Sequence, residues 1–185
     1  MVKARAAHKS RLAQGDIIRD VECVEYVVER NGQLEITKIV FPLIIVLTQD
    51  CDLAQDYKFR WSRQPTKTED KLLLSVLVAP LYNAEHVYIG EHLSELGMTM
   101  VPVPRNKSPG NNLRKNETPR YHYLEFGSDI PVVPSVVDFK HYFSVNAAYL
   151  KKVKAKNFVC RISTLYREDI AQRFASFLSR IALPD

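Results

Sequence analysis

The chain has 185 residues, 46% of them hydrophobic and 25% charged, with a net charge of +5 at pH 7 and three cysteines, Cys23, Cys51 and Cys160. A chain of this length buries about 70% of its unfolded surface without a covalent staple, and three widely spaced thiols exclude a disulfide framework and point to a reducing, cytoplasmic compartment. No apolar run approaches the roughly 18 residues of a membrane span, residues 1–14 are basic without the apolar stretch of a secretory signal, and a basic balance suits an anionic partner such as nucleic acid as well as it suits solubility alone.

Residues 15–30 (GDIIRDVECVEYVVER) are rich in Ile, Val and Tyr and read as one long strand or two short ones. Asn31-Gly32 follows, a hairpin signal because both residues accept the positive φ of a type I′ turn. Residues 34–47 (LEITKIVFPLIIVL) return as strand. Pro42 has no N–H to give to a ladder and so marks an edge, a bulge or a break, and residues 43–47 are apolar on both faces and therefore central. Residues 50–70 are polar and read as a loop or short helical turn. Residues 71–80 (KLLLSVLVAP) read as a buried strand and 84–96 as a short helix.

Residues 98–120 form a long basic loop, punctuated by Pro102, Pro104, Pro109, Gly110 and Pro119. A loop of that length is uncommon in a compact domain unless it has a function. Short strands follow near 121–126, 132–138 and 158–162, with a further piece at 142–145. Ile170, Phe174, Phe177 and Ile181 recur at helical spacing and predict a C-terminal amphipathic helix that lays one face on the sheet. There is no internal repeat and no linker, so residues 1–185 read as a single domain behind a basic tail, residues 1–14.

Three segments carry candidate chemistry. Thr48-Gln49-Asp50-Cys51-Asp52 follows the buried strand, and two carboxylates flanking a thiol could serve proton transfer or hold a metal. The spacing matches no metal motif, and the plain alternative is a polar loop with a turn-capping aspartate and a buried Cys51. The second segment mixes Arg105, Lys107, Arg114, Lys115 and Arg120 with Tyr121, His122 and Tyr123. Cations track phosphates and aromatics stack on unpaired bases, which suits single-stranded RNA or DNA. The alternative is a solvated loop leading into a strand whose tyrosines pack the core. The third segment, Lys151, Lys152, Lys154 and Lys156, reads as a solvated charged face. His86 and His92, six residues apart, do not share a helix face and read as surface residues rather than ligands.

Gly15-Asp16-Ile17-Ile18, the hairpin and Pro42-Leu43-Ile44-Ile45-Val46-Leu47 resemble the opening of PemK/MazF-type toxins. Val76-Leu77-Val78-Ala79-Pro80-Leu81 looks like that family's next strand. Val136-Val137-Asp138 through Leu150, Ile162-Ser163-Thr164-Leu165 and the terminal helix follow its closing order. The resemblance implies a mainly β, SH3-like small barrel with helices, ending here in the C-terminal amphipathic helix, and the segment 82–125 with its basic loop is an insertion longer than the resemblance predicts. It also implies metal-independent cleavage of single-stranded RNA, a possible homodimer and an antitoxin partner. Phe41 stands where the family has an arginine, and Tyr82 or Asn83 where it has threonine or serine, so no catalytic residue carries over from the motif. The expected assignments are phosphate contacts at Arg105, Lys107, Arg114 and Lys115 and on the strand face of Arg120 and His122, base stacking on Tyr121 or Tyr123, and catalysis by Asp50, Asp52 and Arg120 without cofactor or metal. Two other functions remain open: a non-catalytic docking subunit of a larger complex, and a hydrolase centred on Asp50-Cys51-Asp52.

Overall fold

A tight turn folds two long apolar strands back on each other, and the rest of the chain is built around the base of that hairpin. The computed structural model describes residues 1–5, 11–61, 68–105, 110 and 112–180. After the short strand β1 (Ala4–Arg5) come β2 (Asp16–Arg30) and β3 (Gln33–Val46), then the helix α1 (Asp50–Arg60), the strand β4 (Ser75–Asn83) and the helix α2 (Ala84–Ile89). The strands β5 (Tyr121–Leu124), β6 (Ser135–Asp138) and β7 (Phe143–Asn146) precede α3 (Ala147–Asn157), β8 (Phe158–Ile162) and α4 (Thr164–Leu178). Asn31 and Gly32 take φ of 52° and 75°, as the type I′ turn requires.

The sheet has eight strands in the order β1-β8-β2-β3-β4-β6-β5, with β7 alongside the first half of β4. Every ladder is antiparallel. The sheet does not close: β1 and β5 form no ladder, and a single parallel bridge from Val2 to Phe126 crosses the gap, with Val2 N–H donating to the Glu125 carbonyl at 2.6 Å. The chain is therefore a mixed α/β fold around an open, antiparallel, β-rich sheet.

Only the base of the β2–β3 hairpin belongs to that sheet. β8 pairs with Asp16–Ile18 and β4 with Ile44–Val46. Beyond them the two strands pair only with each other among the described strands, and Val24, Tyr26, Val27, Leu34 and Ile36 are exposed. Pro42 lies inside β3 opposite Asp20, between the pairs Arg19–Leu43 and Val21–Phe41, where β4 does not reach.

Several expectations shift. Residues 50–60 form the 11-residue helix α1, longer than the loop or short helical turn expected there. The lysine run belongs to the helix α3, which the sequence pattern does not announce, and Lys154 points inward, almost fully buried, instead of facing solvent. The helix expected over 84–96 ends at Gly90 (φ 78°), where any Cβ would meet the Met100 carbonyl oxygen, and resumes as a single 3₁₀ turn at Ser94–Leu96. The basic tail is also not free of the core: Val2, Leu12, Ala13 and Gln14 are buried. Among the described residues, no helix is long and apolar enough to cross a membrane.

Candidate functional site

The β4–β6–β5 corner carries one of the dense groups of titratable side chains. Register sets Tyr82 beside Val136 and Val136 beside Tyr123, and sets Tyr121 beside Asp138. Cross-strand neighbours share a face, so these residues line one side, while His122 and Val137 point to the other. A small core of Tyr82, Tyr88, Leu93, Leu113, Tyr121 and Tyr123 covers the first side and supports two polar features.

The first feature centres on Asp138, which is fully buried. Arg120 grips it as a fork, with Nε to Oδ1 at 2.9 Å and Nη2 to Oδ2 at 2.6 Å, and Lys140 N–H donates to Oδ1 at 3.0 Å. His141 Nδ1 lies 3.4 Å from Oδ2 and 3.1 Å from the Tyr82 hydroxyl. The His92 ring stacks near Tyr82, with centroids 4.9 Å apart, and 6.4 Å from His141. Both ring nitrogens of His92 are buried without a partner. Burial pushes the His92 and His141 pKa values below the ordinary histidine value and raises that of Tyr82, so both imidazoles are neutral at pH 7. The bond to Asp138 raises that of Arg120.

Little in the sequence marks this constellation. His86 is exposed as expected, but His92 is half-buried and faces His141. The spacing of Asp138 and His141 is the one local sign. The ligand atoms of His92, Asp138 and His141 all lie within 4.8 Å of one another, a two-histidine, one-carboxylate set that could hold a transition metal. Arg120 already occupies both Asp138 oxygens, however, and sets a fixed positive charge against that position. Two neutral imidazoles beside a guanidinium suit proton transfer at an anion better than they suit a cation.

The second feature is a cavity of about 470 Å³ lined by Tyr88, Pro104, Arg105, Asn112, Leu113, Arg114 and Lys115. It brings together three of the expected phosphate contacts. The Arg105 guanidinium lies 4.3 Å from the Tyr88 ring centroid and pairs with Glu85. Arg114 sits over Tyr123 at 5.9 Å. The described part of the loop is tied to its surroundings: Asn116 accepts from Tyr123 N–H at 2.5 Å, and Glu117 accepts from the Gly110 and Asn112 amides. Lys107 lies outside the described residues.

The remaining expected residues are placed elsewhere. Tyr121, His122 and Tyr123 are all buried, so β5 offers no exposed ring on which a base could stack. His122 faces Phe139 and α4, and burial, with Arg173 adding to it, pushes its pKa down to about 3. The exposed Asp169, 4.0 Å away, does not offset that. Asp50 lies in the first turn of α1, where Arg11 donates to Oδ1 at 3.0 Å and Oδ2 at 2.8 Å, and Arg167 lies 3.3 Å from Oδ1. Burial works to raise the Asp50 pKa, but these two arginines outweigh it and hold the carboxyl below its usual range. Asp52 and Cys51 are exposed, contrary to the buried Cys51 of the polar-loop alternative.

Asp50 and Arg120 do not meet. Helix α4 touches Asp50 through Arg167 and reaches the Thr118 and Tyr121 carbonyls through Arg173, about 9 Å of helix rise further on. No protein-family model matches the chain, and no curated protein matches it in sequence.

Proposed function

We propose that this is a toxin-like nucleic-acid-binding module of PemK/MazF type that acts on single-stranded RNA without a metal. The observation that carries the reading is the cavity of Arg105, Arg114 and Lys115 around Tyr88, on the same corner as the paired neutral histidines. Cations at that density hold successive phosphates. The finer fold reading, an SH3-like small barrel, is supported by the Val2–Phe126 bridge that spans the sheet's open seam.

In the cleavage step His92 takes the proton from the RNA 2′-hydroxyl. The 2′-oxygen bonds to phosphorus, the phosphorus–O5′ bond breaks, neutral His141 donates a hydrogen bond to the leaving oxygen, and that oxygen takes a proton from a water molecule, which the proton held by His92 replaces. The products are a 2′,3′-cyclic phosphate and a free 5′-hydroxyl. Asp138 orients His141, and Arg120 stabilises charge on the phosphoryl oxygens.

The test is incubation with mixed-sequence single-stranded RNA in chelator. Fragments that vanish in His92→Ala support the reading, and a mobility shift without fragments reduces it to binding alone. Intact RNA with no shift at low salt overturns it. The three free thiols fit a reducing, cytoplasmic setting.

A second reading, docking on a larger protein, an antitoxin or a second copy, rests on the β2–β3 ribbon. Val24, Val27, Leu34 and Ile36 on it are exposed, and no described element covers them. A sedimentation coefficient that stays monomeric across a wide concentration range removes the homodimer from this reading.

A further inference from the structure

We infer that the cavity between the start of α4 and the β1–β8 edge is a binding site for a phosphate monoester dianion. The cavity measures about 310 Å³ and is lined by Arg5, Arg11, Asp50, Arg161, Thr164 and Arg167, with Ile162 and Ser163 between the last arginines. It lies at the opposite end of α4 from the histidine pair, and it does not depend on the ribonuclease reading.

The charge balance is the main argument. Asp16, fully buried, is shared by Lys154 at 2.9 Å and Arg161 at 2.5 Å. Asp50 is shared by Arg11 at 2.8 Å and Arg167 at 3.3 Å. Arg5 faces the same space. Among the described residues, four arginines line the cavity against one lining carboxylate, Asp50, with the buried Asp16–Lys154 pair behind Arg161. A concentration of like charge in a partly dry concavity is unfavourable on its own and attracts a counter-anion.

The arginines are also held in place. Asp50 fixes Arg11 and Arg167, Asp16 fixes Arg161, and Arg161 Nη2 also donates to the Arg11 carbonyl at 3.2 Å. Guanidinium forks oriented before the ligand arrives lose little freedom on binding, and their planar geometry matches phosphate oxygens. Helix α4 adds to the same field. Its first residue is Thr164, and the Ser163 side chain makes no capping bond, so the first-turn amides keep their donors for an anion.

Size and charge select the ligand class. The volume is at the lower bound of small-ligand pockets, about 300 Å³, which suits a compact group or a chain end rather than a strand passing through. A monoester dianion answers the charge excess more fully than the single charge of a diester. The shared chemistry is a terminal phosphate, and its source is either a free nucleotide or the 5′ end of an RNA.

The experiment uses the full chain at fixed ionic strength, with a 5′-phosphorylated RNA pentamer, the same pentamer ending in a 5′-hydroxyl, and a nucleoside 5′-monophosphate. Calorimetry is expected to give about tenfold tighter binding for the phosphorylated pentamer, the scale of one charge-assisted bidentate contact. Arg5→Glu, at an exposed position, and Arg167→Gln should each erase that difference. Binding of the monophosphate as well assigns the site to a free nucleotide, and its failure to bind assigns the site to an RNA end. Equal affinity for the two pentamers, or a preference that survives in Arg5→Glu with an unchanged circular dichroism spectrum, overturns the proposal.

Discussion

Arg120 and Asp138 meet where β5 and β6 pair, the guanidinium laid fork-wise on a carboxylate with no exposure to solvent. Removing one partner of such a pair leaves a buried charge without compensation. Asp138→Ala is therefore expected to cost about 3 kcal/mol of unfolding free energy, read from urea denaturation. Replacing both residues together by apolar side chains should cost less than the sum of the two single changes.

His92→Ala and His141→Ala should each lower RNA cleavage by about 10²- to 10⁴-fold, with circular dichroism unchanged. Burial lowers both pKa values. The rate should therefore hold at pH values below that of a free imidazole before the base becomes protonated and activity falls. A pH–rate profile on cold-purified protein in chelator checks both the position of the limb and the independence from metal.

His122 gives a separate, structural pH effect. Its pKa in the folded chain is about 3, well below the unfolded value, because burial disfavours the imidazolium. The unfolded state binds the extra proton first. His122 thus contributes stability that is present above the unfolded pKa and is lost as pH falls from that value toward 3. The slope is about 1.4 kcal/mol per pH unit for one proton. His122→Phe should flatten that part of a denaturation series.

Arg114 and Lys115 line the basic cavity. Changing each to Glu should weaken single-stranded RNA binding and reduce the salt slope by about 0.7 for every phosphate that is no longer neutralised. Fluorescence anisotropy across a salt series measures both quantities. An unchanged slope would remove the cavity from the binding surface.

The hairpin, the β8 boundaries and the terminal helix are legible in the sequence because short-range chemistry dictates them. Asn31-Gly32 accepts positive φ, and Ile170 and Phe174 are buried at helical spacing. Arg105, Arg114 and Lys115 stand out by composition, and their loop brings them together. Helix α3 is hidden because Lys151, Lys152, Lys154 and Lys156 mask its apolar side, and the partner that draws Lys154 inward, Asp16, lies on another strand. The His92–His141 pair is illegible for the same reason. Its members sit on separate loops, and tertiary packing against Tyr82, rather than any local spacing, sets them face to face. Tyr121 and Tyr123 look available to a base because strand alternation does not reveal that α2 and the 3₁₀ turns cover their side.

The β2–β3 ribbon leaves the sheet where Asp20, at φ 54°, lies opposite Pro42. Backbone amides at Ile17 and at Ile44–Val46, with strands on both sides, should exchange with deuterium only when the whole sheet opens. From Val24 to Ile36 the ladder is two strands wide, and its amides should exchange when the arm alone frays. The arm's outward N–H and C=O groups form a ready template for one more strand. A visiting peptide could extend it by backbone bonds alone, with the alternating apolar side chains setting which peptides fit.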